Sequence, residues 1–173
     1  MKKNIFYLII LLFFTFIFTI FYIGLDKPNF YTPKEIKNKS LEEFTSTELF
    51  SNEQFSSNNI IENNKFTLIN IWSSWCVPCR LEHSVLMDLS EKTDLNIVGL
   101  NYKDKKNNAI KFLNELGNPF SKILTDPDGI VSISLGAYGV PETFLLNNKS
   151  KIIRKYIGPL TKENILEIIK IIK

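Results

Sequence analysis

The chain has 173 residues, of which 45% are hydrophobic and 23% are charged, and its formal net charge at pH 7 is +3. Lysines at 103, 105 and 106 are interspersed with Asp104 and Asn, a pattern that is typical of a solvated turn. No basic patch stands out in the sequence, so we expect no nucleic-acid partner. Two cysteines and one histidine also argue against a structural zinc site, which usually takes four ligands.

The N-terminal segment 5–25 carries no charged side chain and is almost entirely Ile, Leu, Phe and Tyr. At about 1.5 Å per residue, a helix of this length spans the roughly 30 Å hydrocarbon core of a bilayer. The segment is longer than the apolar part of a signal peptide and lacks small residues at a cleavage position, which favours an uncleaved anchor in the lipid bilayer. Lys2 and Lys3 predict that residues 1–4 stay in the cytoplasm. The rest, from Asp26, would then lie in the periplasm of a bacterium, tethered to the inner membrane by a single pass.

The segment 26–40 is polar and contains two prolines, which is typical of a tether. Residues 41–173 are sufficient for one domain with one core. Strand patterns alternate with helix patterns and end in a hairpin and a helix, which indicates an α/β fold with a mixed sheet flanked by helices. Predicted strands cover 41–51, 66–72, 96–102, 123–125, 143–146 and 151–157, predicted helices cover 79–92, 107–116, 130–135 and 161–172, and 52–65 is predicted to be a loop.

The two cysteines, Cys76 and Cys79, directly follow the predicted strand 66–72 and Trp75. Two thiols at this spacing can form a small disulfide when the second lies in the first turn of a helix. The helix N-terminus favours a thiolate, so Cys76 is predicted to be the nucleophile and Cys79 the resolving thiol. Arg80 stands where c-type haem attachment requires His, and a purely structural disulfide over so short a loop would stabilise little. Thiol–disulfide exchange is the leading hypothesis, with this cysteine pair as the redox centre and no other cofactor or metal.

Glu82 lies within the apolar stripe of the predicted helix 79–92. A carboxyl group one turn after Cys79 could accept or return the proton of that thiol, and burial would raise its pKa towards neutrality. The alternative is that Glu82 extends to a lysine or arginine not evident from the sequence.

His83 is the only histidine in the chain. Its position is typical of a solvent-facing residue of the predicted helix. The alternative is a soft-metal site, for copper, formed with Cys76 and Cys79, because His83 lies four residues after Cys79 and could share a helix face with it.

Pro141 stands just before the predicted strand 143–146. A proline in this position is often only a device that starts a strand, and from the residues alone a cis bond is the minority expectation. Four segments nevertheless occur together in a characteristic order. They are Trp-Cys-Val-Pro-Cys-Arg-Leu-Glu-His at 75–83, Gly-Leu-Asn-Tyr-Lys-Asp at 99–104, Glu-Leu-Gly-Asn-Pro at 115–119 and Leu-Gly-Ala-Tyr-Gly-Val-Pro-Glu-Thr-Phe at 135–144.

This series resembles the thioredoxin superfamily and, within it, the membrane-tethered thioredoxins of cytochrome c maturation, the CcmG/DsbE type, over about 65–173. The resemblance implies a thioredoxin-like mixed sheet flanked by helices, with Pro141 as a cis-proline facing the dithiol. The residues that would help to position the substrate are Trp75, Val140, Pro141 and Glu142. Glu82 and Glu142 would give the site its acidic character. The chain departs from the family in the late hairpin turn, where Asn-Asn-Lys-Ser replaces the usual Asp and Gly.

The resemblance also implies partners. The dithiol would reduce the oxidised CxxCH motif of apocytochrome c and receive electrons from a membrane thiol transporter of the DsbD/CcdA type. A TlpA-like general reductase, or one serving copper-site assembly, would use the same chemistry on another client. A copper-binding carrier and a DsbA-like oxidant are further alternatives, although acidic residues would disfavour the stabilised Cys76 thiolate of a strong oxidant.

Overall fold

Seven strands form one mixed sheet in the computed structural model, which describes residues 2–25, 39–61 and 63–173. The strands are β1 (Thr45–Glu48), β2 (Gln54–Ser56), β3 (Phe66–Trp72), β4 (Asn96–Tyr102), β5 (Lys122–Asp126), β6 (Glu142–Asn147) and β7 (Ile152–Ile157). The helices are α1 (Lys2–Leu25), α2 (Ser57–Ile61), α3 (Val77–Lys92), α4 (Lys106–Leu116), α5 (Ile130–Ser134) and α6 (Lys162–Ile172).

The strand order is β2-β1-β5-β4-β3-β6-β7. β4 pairs in parallel with β3 and with β5, whereas the other neighbours are antiparallel. The predicted α/β class with a mixed sheet and flanking helices is therefore confirmed.

Strand β3, which lies between β4 and β6, is covered on both faces. Because successive side chains of a strand point to opposite faces, Leu68 and Trp72 enter one core cluster, and Ile69 and Ile71 enter the other. The first cluster includes side chains of α3, α4 and α6, and the second includes side chains of α2 and of the segment around α5. Two-sided burial explains why the sequence of this strand is almost continuously apolar.

Helix α3 begins at Val77, two residues earlier than the predicted start at Cys79. Cys76 is its N-cap residue, and Pro78 lies in the first turn, where the missing N–H of proline costs no helical hydrogen bond. Only four residues, 73–76, connect the end of β3 to the start of α3. The cysteine pair lies at this connection.

The predicted loop 52–65 was wrong, because the chain forms β2 and α2 there. Ile60 and Ile61 of α2 are buried, and the Ser57 hydroxyl oxygen accepts the backbone N–H of Phe44 at 3.2 Å. This tertiary burial stabilises a helix that the Asn- and Ser-rich sequence disfavours locally. The predicted strand 41–51 is also shorter, since only β1 within it is extended and paired.

The chain divides into two units, Met1–Lys34 and Glu35–Lys173. In the first, Lys3–Ile23 is a 21-residue stretch with mean hydropathy 2.6, long and apolar enough to cross a membrane. The hydroxyl groups of Thr15 and Thr19 donate to backbone carbonyl groups of the same helix, so these polar groups have partners without water. Most of the predicted tether 26–40 lies outside the described residues.

Candidate active site

Cys76 and Cys79 form a disulfide at the start of α3, with their Cα atoms 5.3 Å apart. Both residues are buried, at 4% and 2% exposure, so only a small part of the cysteine pair reaches the surface. Cys76 Sγ accepts the backbone N–H of Cys79 at 3.1 Å. The same N–H, together with the positive end of the helix dipole, favours negative charge on the sulfur of Cys76 when the bond is reduced.

Trp75 projects beside the disulfide and is 56% exposed. Its indole Nε1 donates to the carbonyl oxygen of Lys103 at 3.0 Å. Next to it, the carboxylate of Asp104 accepts from the backbone N–H of Ser74 at 2.7 Å and from the Ser74 hydroxyl at 2.9 Å. The sequence pattern indicated only a solvated turn around Asp104, whereas the structure shows this turn holding the segment that precedes the cysteines.

Glu82 is 2% exposed, and its carboxylate lies in the core one turn after Cys79. Oε1 accepts from Asn70 Nδ2 at 2.9 Å, and Oε2 accepts from the backbone N–H of Leu160 at 2.6 Å. Burial raises the pKa of Glu82 to about 7, against the opposing effect of these two hydrogen bonds. The partners of the carboxylate are thus an amide and a backbone N–H, not the lysine or arginine considered as an alternative.

Asn70 is a component of the site that the sequence did not single out. It is fully buried in β3, and its Nδ2 donates to Glu82 and to the hydroxyl oxygen of Thr143, both at 2.9 Å. The strand pattern could have indicated Asn70, because side chains two positions apart on a strand point to the same face. Asn70 therefore shares the core-facing side of Leu68 and Trp72.

His83 is buried, at 3% exposure, so the predicted solvent-facing position was wrong. Its Nε2 donates to the carbonyl oxygen of Gly117 at 3.0 Å, and its ring lies edge-on to Phe112 at 5.0 Å. Burial lowers the pKa of His83 below its ordinary range. Within residues 2–25, 39–61 and 63–173, no group of three or more His, Cys, Asp or Glu side chains could hold a metal ion.

Val140 and Pro141 are joined by a cis peptide bond just before β6. The pairing of β3 with β6 ends at Ile71 and Glu142, so Val140 and Pro141 lie at the same end of the sheet as the disulfide. Val140 packs against the core cluster that contains both cysteines. The structure therefore brings the predicted dithiol and the predicted proline segment to one edge of the sheet.

Glu142 is 2% exposed and is enclosed by the chain. Oε1 accepts the backbone N–H groups of Tyr138 at 2.7 Å and Gly139 at 3.0 Å, and Oε2 lies 2.7 Å from Lys155 Nζ. Glu142 thus lies near the predicted site but contacts the loop before Val140. Lys155 was not among the residues that the sequence indicated.

A mixed sheet with flanking helices, a Cys-x-x-Cys disulfide at the N-terminus of a helix and an adjacent cis-proline define a thioredoxin-like protein of the thiol–disulfide oxidoreductase class. Its redox centre is the cysteine pair. The Redoxin family matches residues 36–169, and the chain belongs to this family.

Two curated relatives and one solved structure illustrate the similarity. The chain is 48% identical over 103 residues to the thiol:disulfide interchange protein CycY of Rhizobium leguminosarum bv. viciae, covering 60% of this chain and 55% of CycY. It is 35% identical over 162 residues to the "Probable thiol:disulfide interchange protein DsbE-2" of Pasteurella multocida, covering 94% of this chain and 85% of that protein. The chain thus spans about half the length of CycY and most of DsbE-2.

The crystal structure of a DsbF homologue from Corynebacterium diphtheriae superposes with a TM-score of 0.68 at 24% identity, covering 83% of this chain and 95% of that one. At this level of identity the superposition supports the fold alone.

Proposed function

We propose that this chain is a membrane-anchored thiol–disulfide reductant that acts on the oxidised CxxCH motif of apocytochrome c. The observation that carries the exchange chemistry of this proposal is the position of Glu82, a buried carboxyl group with a pKa of about 7, one turn after Cys79 on the helix that Cys76 caps. Such a group can hold or release a proton at neutral pH, one helical turn after the resolving thiol.

The exchange starts from the reduced pair. The thiolate of Cys76 attacks one sulfur of the client disulfide, which forms a mixed disulfide and releases the first client thiolate. Cys79 then loses its proton to Glu82 and attacks the sulfur of Cys76, which closes the Cys76–Cys79 disulfide and releases the second client thiolate. Two electrons pass to the client, whose thiolates take up two protons, and a dithiol donor must reduce the pair again.

The remaining predicted site residues would position the client. The backbone of Val140, beside Pro141, would align an extended client strand with Cys76, and the exposed ring of Trp75 would cover it. Glu142 would act indirectly, through the loop that precedes Val140.

The client and the donor follow from the motif series shared with the CcmG/DsbE type. The curated relatives CycY and DsbE-2 are named as thiol:disulfide interchange proteins, which supports exchange chemistry with protein partners. The proposed donor is a membrane thiol transporter of the DsbD/CcdA type.

The proposed location is the inner membrane, with residues 1–4 in the cytoplasm, 5–25 across the bilayer, 26–40 as a tether and 41–173 as the periplasmic domain. The apolar helix α1 supports this arrangement by its length and composition. Lys2 and Lys3 support the orientation.

The first test is trapping of the mixed disulfide with the full chain in detergent. A reduced Cys79→Ser variant, mixed with a peptide whose CxxCH motif is oxidised, should accumulate a covalent adduct at Cys76 that dithiothreitol releases. Cys76→Ser is the matched control and should form none. If Cys79→Ser also forms no adduct, the assigned roles fail.

The direction of electron flow and the client need separate tests. A reduction potential well below about −180 mV supports a reductant, whereas a value near about −120 mV indicates an oxidant of the DsbA kind and contradicts the proposal. In a deletion strain, loss of c-type haem with intact copper sites in the oxidases supports the cytochrome c client. Loss of the copper sites alone would favour the TlpA-like alternative.

A further inference from the structure

Lys155 and Glu142 form an ion pair in the interior of the domain. Lys155 lies on β7 opposite Phe144, and its Nζ is 2.7 Å from Glu142 Oε2. The side chains are 9% and 2% exposed. The other ion pairs among the described residues have side chains between 35% and 63% exposed, so this pair stands apart in its burial.

Both members of the pair also hold the same short segment, 136–139. Glu142 Oε1 accepts the backbone N–H groups of Tyr138 and Gly139. Lys155 Nζ donates to the carbonyl oxygen of Gly136 at 2.8 Å and lies 4.5 Å from the centroid of the Tyr138 ring. Three of the four residues of the segment are therefore bound to one charged pair.

The segment leads directly into Val140, whose backbone is proposed to align the client. A loop of four residues containing two glycines would otherwise have many conformations, and ordering it at the moment of binding would weaken affinity. A charged pair that fixes the loop beforehand removes that part of the free-energy cost of binding.

We propose that Lys155 and Glu142 are positioning residues that hold segment 136–139 so that the backbone of Val140 is presented to the client strand. The inference rests on the proposed function for the role of Val140. It assigns Glu142 a role different from that of an acid acting on the dithiol, because its two carboxylate oxygens are bound to the segment and to a lysine.

The rival interpretation is that Glu142 acts on Cys76 through its charge. The two interpretations predict different effects of neutralising Lys155 on the thiolate fraction of Cys76. Loss of a negative charge would raise the thiolate fraction of Cys76 and loss of a positive charge would lower it, so neutralising each partner would have opposite effects. If the pair instead holds the loop, Glu142→Gln and Lys155→Met change the same property in the same direction.

The experiment uses the pre-reduced full chain in detergent and an oxidised CxxCH peptide as the probe, with KM and kcat taken from the peptide dependence of the single-turnover oxidation of the cysteine pair. For both Glu142→Gln and Lys155→Met we expect KM for the peptide to rise about 10-fold with kcat nearly unchanged, as for a misplaced binding element. The alkylation rate of Cys76 by iodoacetamide at pH 7, which reports its thiolate fraction, should stay within about 2-fold of wild type. Unchanged KM in both variants, or alkylation rates that move in opposite directions, would overturn the proposal.

Glu167→Gln is the matched control. It removes the ion pair of Glu167 with Arg154, the residue that precedes Lys155 on β7, at 2.7 Å. Its KM should equal that of wild type. A KM that rises as much as in the other two variants would show a general effect of ion-pair loss and would contradict the proposal.

A second readout keeps the test decisive if the single variants fold poorly or the client assignment fails. The double variant Glu142→Gln/Lys155→Met leaves no unpaired buried charge and is expected to fold. Amide hydrogen exchange in a peptide covering 136–140 should be at least about 10-fold faster in it than in wild type. Unchanged exchange contradicts the positioning role. A wild type that does not reduce the peptide contradicts the proposed function, and the exchange rate then still shows whether the ion pair orders segment 136–139.

Discussion

The carboxylate of Glu82 accepts the backbone N–H of Leu160 at 2.6 Å, which links α3 to the segment before α6. The two residues are 78 positions apart in the chain. Burial disfavours the ionised form of Glu82, whereas this N–H and the amide of Asn70 favour it, and the balance is a pKa of about 7. The predicted proton carrier of the site is therefore set by contacts between three elements of the fold.

The first prediction concerns the pH dependence of stability. The pKa of Glu82 rises from its ordinary value of 4.5 to about 7 on folding, so the folded chain keeps this proton over a pH range where the unfolded chain loses it. The resulting contribution to the free energy of unfolding is fully present below pH 4.5 and is lost as pH rises to 7. We expect a decrease of about 3 kcal/mol over this range, measured as wild type minus Glu82→Gln by urea unfolding.

Because other groups titrate in the same range, the difference between the two proteins is the informative quantity. A difference that stays constant between pH 4.5 and 7.5 would mean that Glu82 titrates normally.

Resolution of a mixed disulfide by Cys79 should also slow in Glu82→Gln, by about 10²-fold, and its rate should lose the inflection near pH 7.

Replacing Asn70 should raise the pKa of Glu82. Asn70→Ala removes the side-chain donor to Oε1, and a hydrogen bond to a charged group contributes about 1.5 kcal/mol, so we expect a pKa of about 8. The measurement is NMR titration of the ¹³C-labelled carboxyl group. Thr143→Val removes the other acceptor bound to Asn70 and serves as the control. A value equal to wild type in Asn70→Ala would show that the amide does not hold the carboxylate.

Asp104 should affect client binding through the turn before the dithiol. Asp104→Ala removes two acceptors from Ser74 and leaves the segment carrying Trp75 less ordered. We expect KM for an oxidised CxxCH peptide to rise about 5- to 10-fold, while the fraction of folded protein at 25 °C stays the same as in wild type. Asp94→Ala, at an exposed acidic residue before β4, is the control and should leave KM unaltered. Equal KM values in the two variants would mean that Asp104 does not order the segment.

Gly99 should tolerate no side chain. A Cβ atom at Gly99 would lie 2.8 Å from Trp72 Nε1 and 3.0 Å from the ring of Phe120. Gly99→Ala is therefore expected to destabilise the domain by about 1–3 kcal/mol through overpacking, measured by urea unfolding. Gly139→Ala, where a Cβ meets nothing within 4 Å, is the matched control and should change stability by less than about 0.5 kcal/mol. A similar loss in both would argue against a steric cause at Gly99.

Several elements could be predicted because their signals are local. β3 and β4 match the predicted ranges 66–72 and 96–102 at both ends. Both strands are buried on two faces, so their sequences are mostly apolar. The region 52–65 failed because its helix is stabilised by burial of Ile60 and Ile61, which an Asn-rich composition does not reveal.

Local sequence was enough to predict the chemistry of the cysteine pair and the apolar character of the N-terminal segment. The spacing of Cys76 and Cys79 after a buried strand is enough to place a dithiol at a helix N-terminus, because backbone geometry over three residues is local.

The partners and the burial of the surrounding groups depend on the tertiary structure. It buried His83 against α4, gave Glu82 an amide and a backbone N–H as partners, and paired Glu142 with Lys155. The physical reason is that burial and hydrogen bonding depend on residues brought together from distant parts of the chain, and periodicity along one helix or strand carries no information about them.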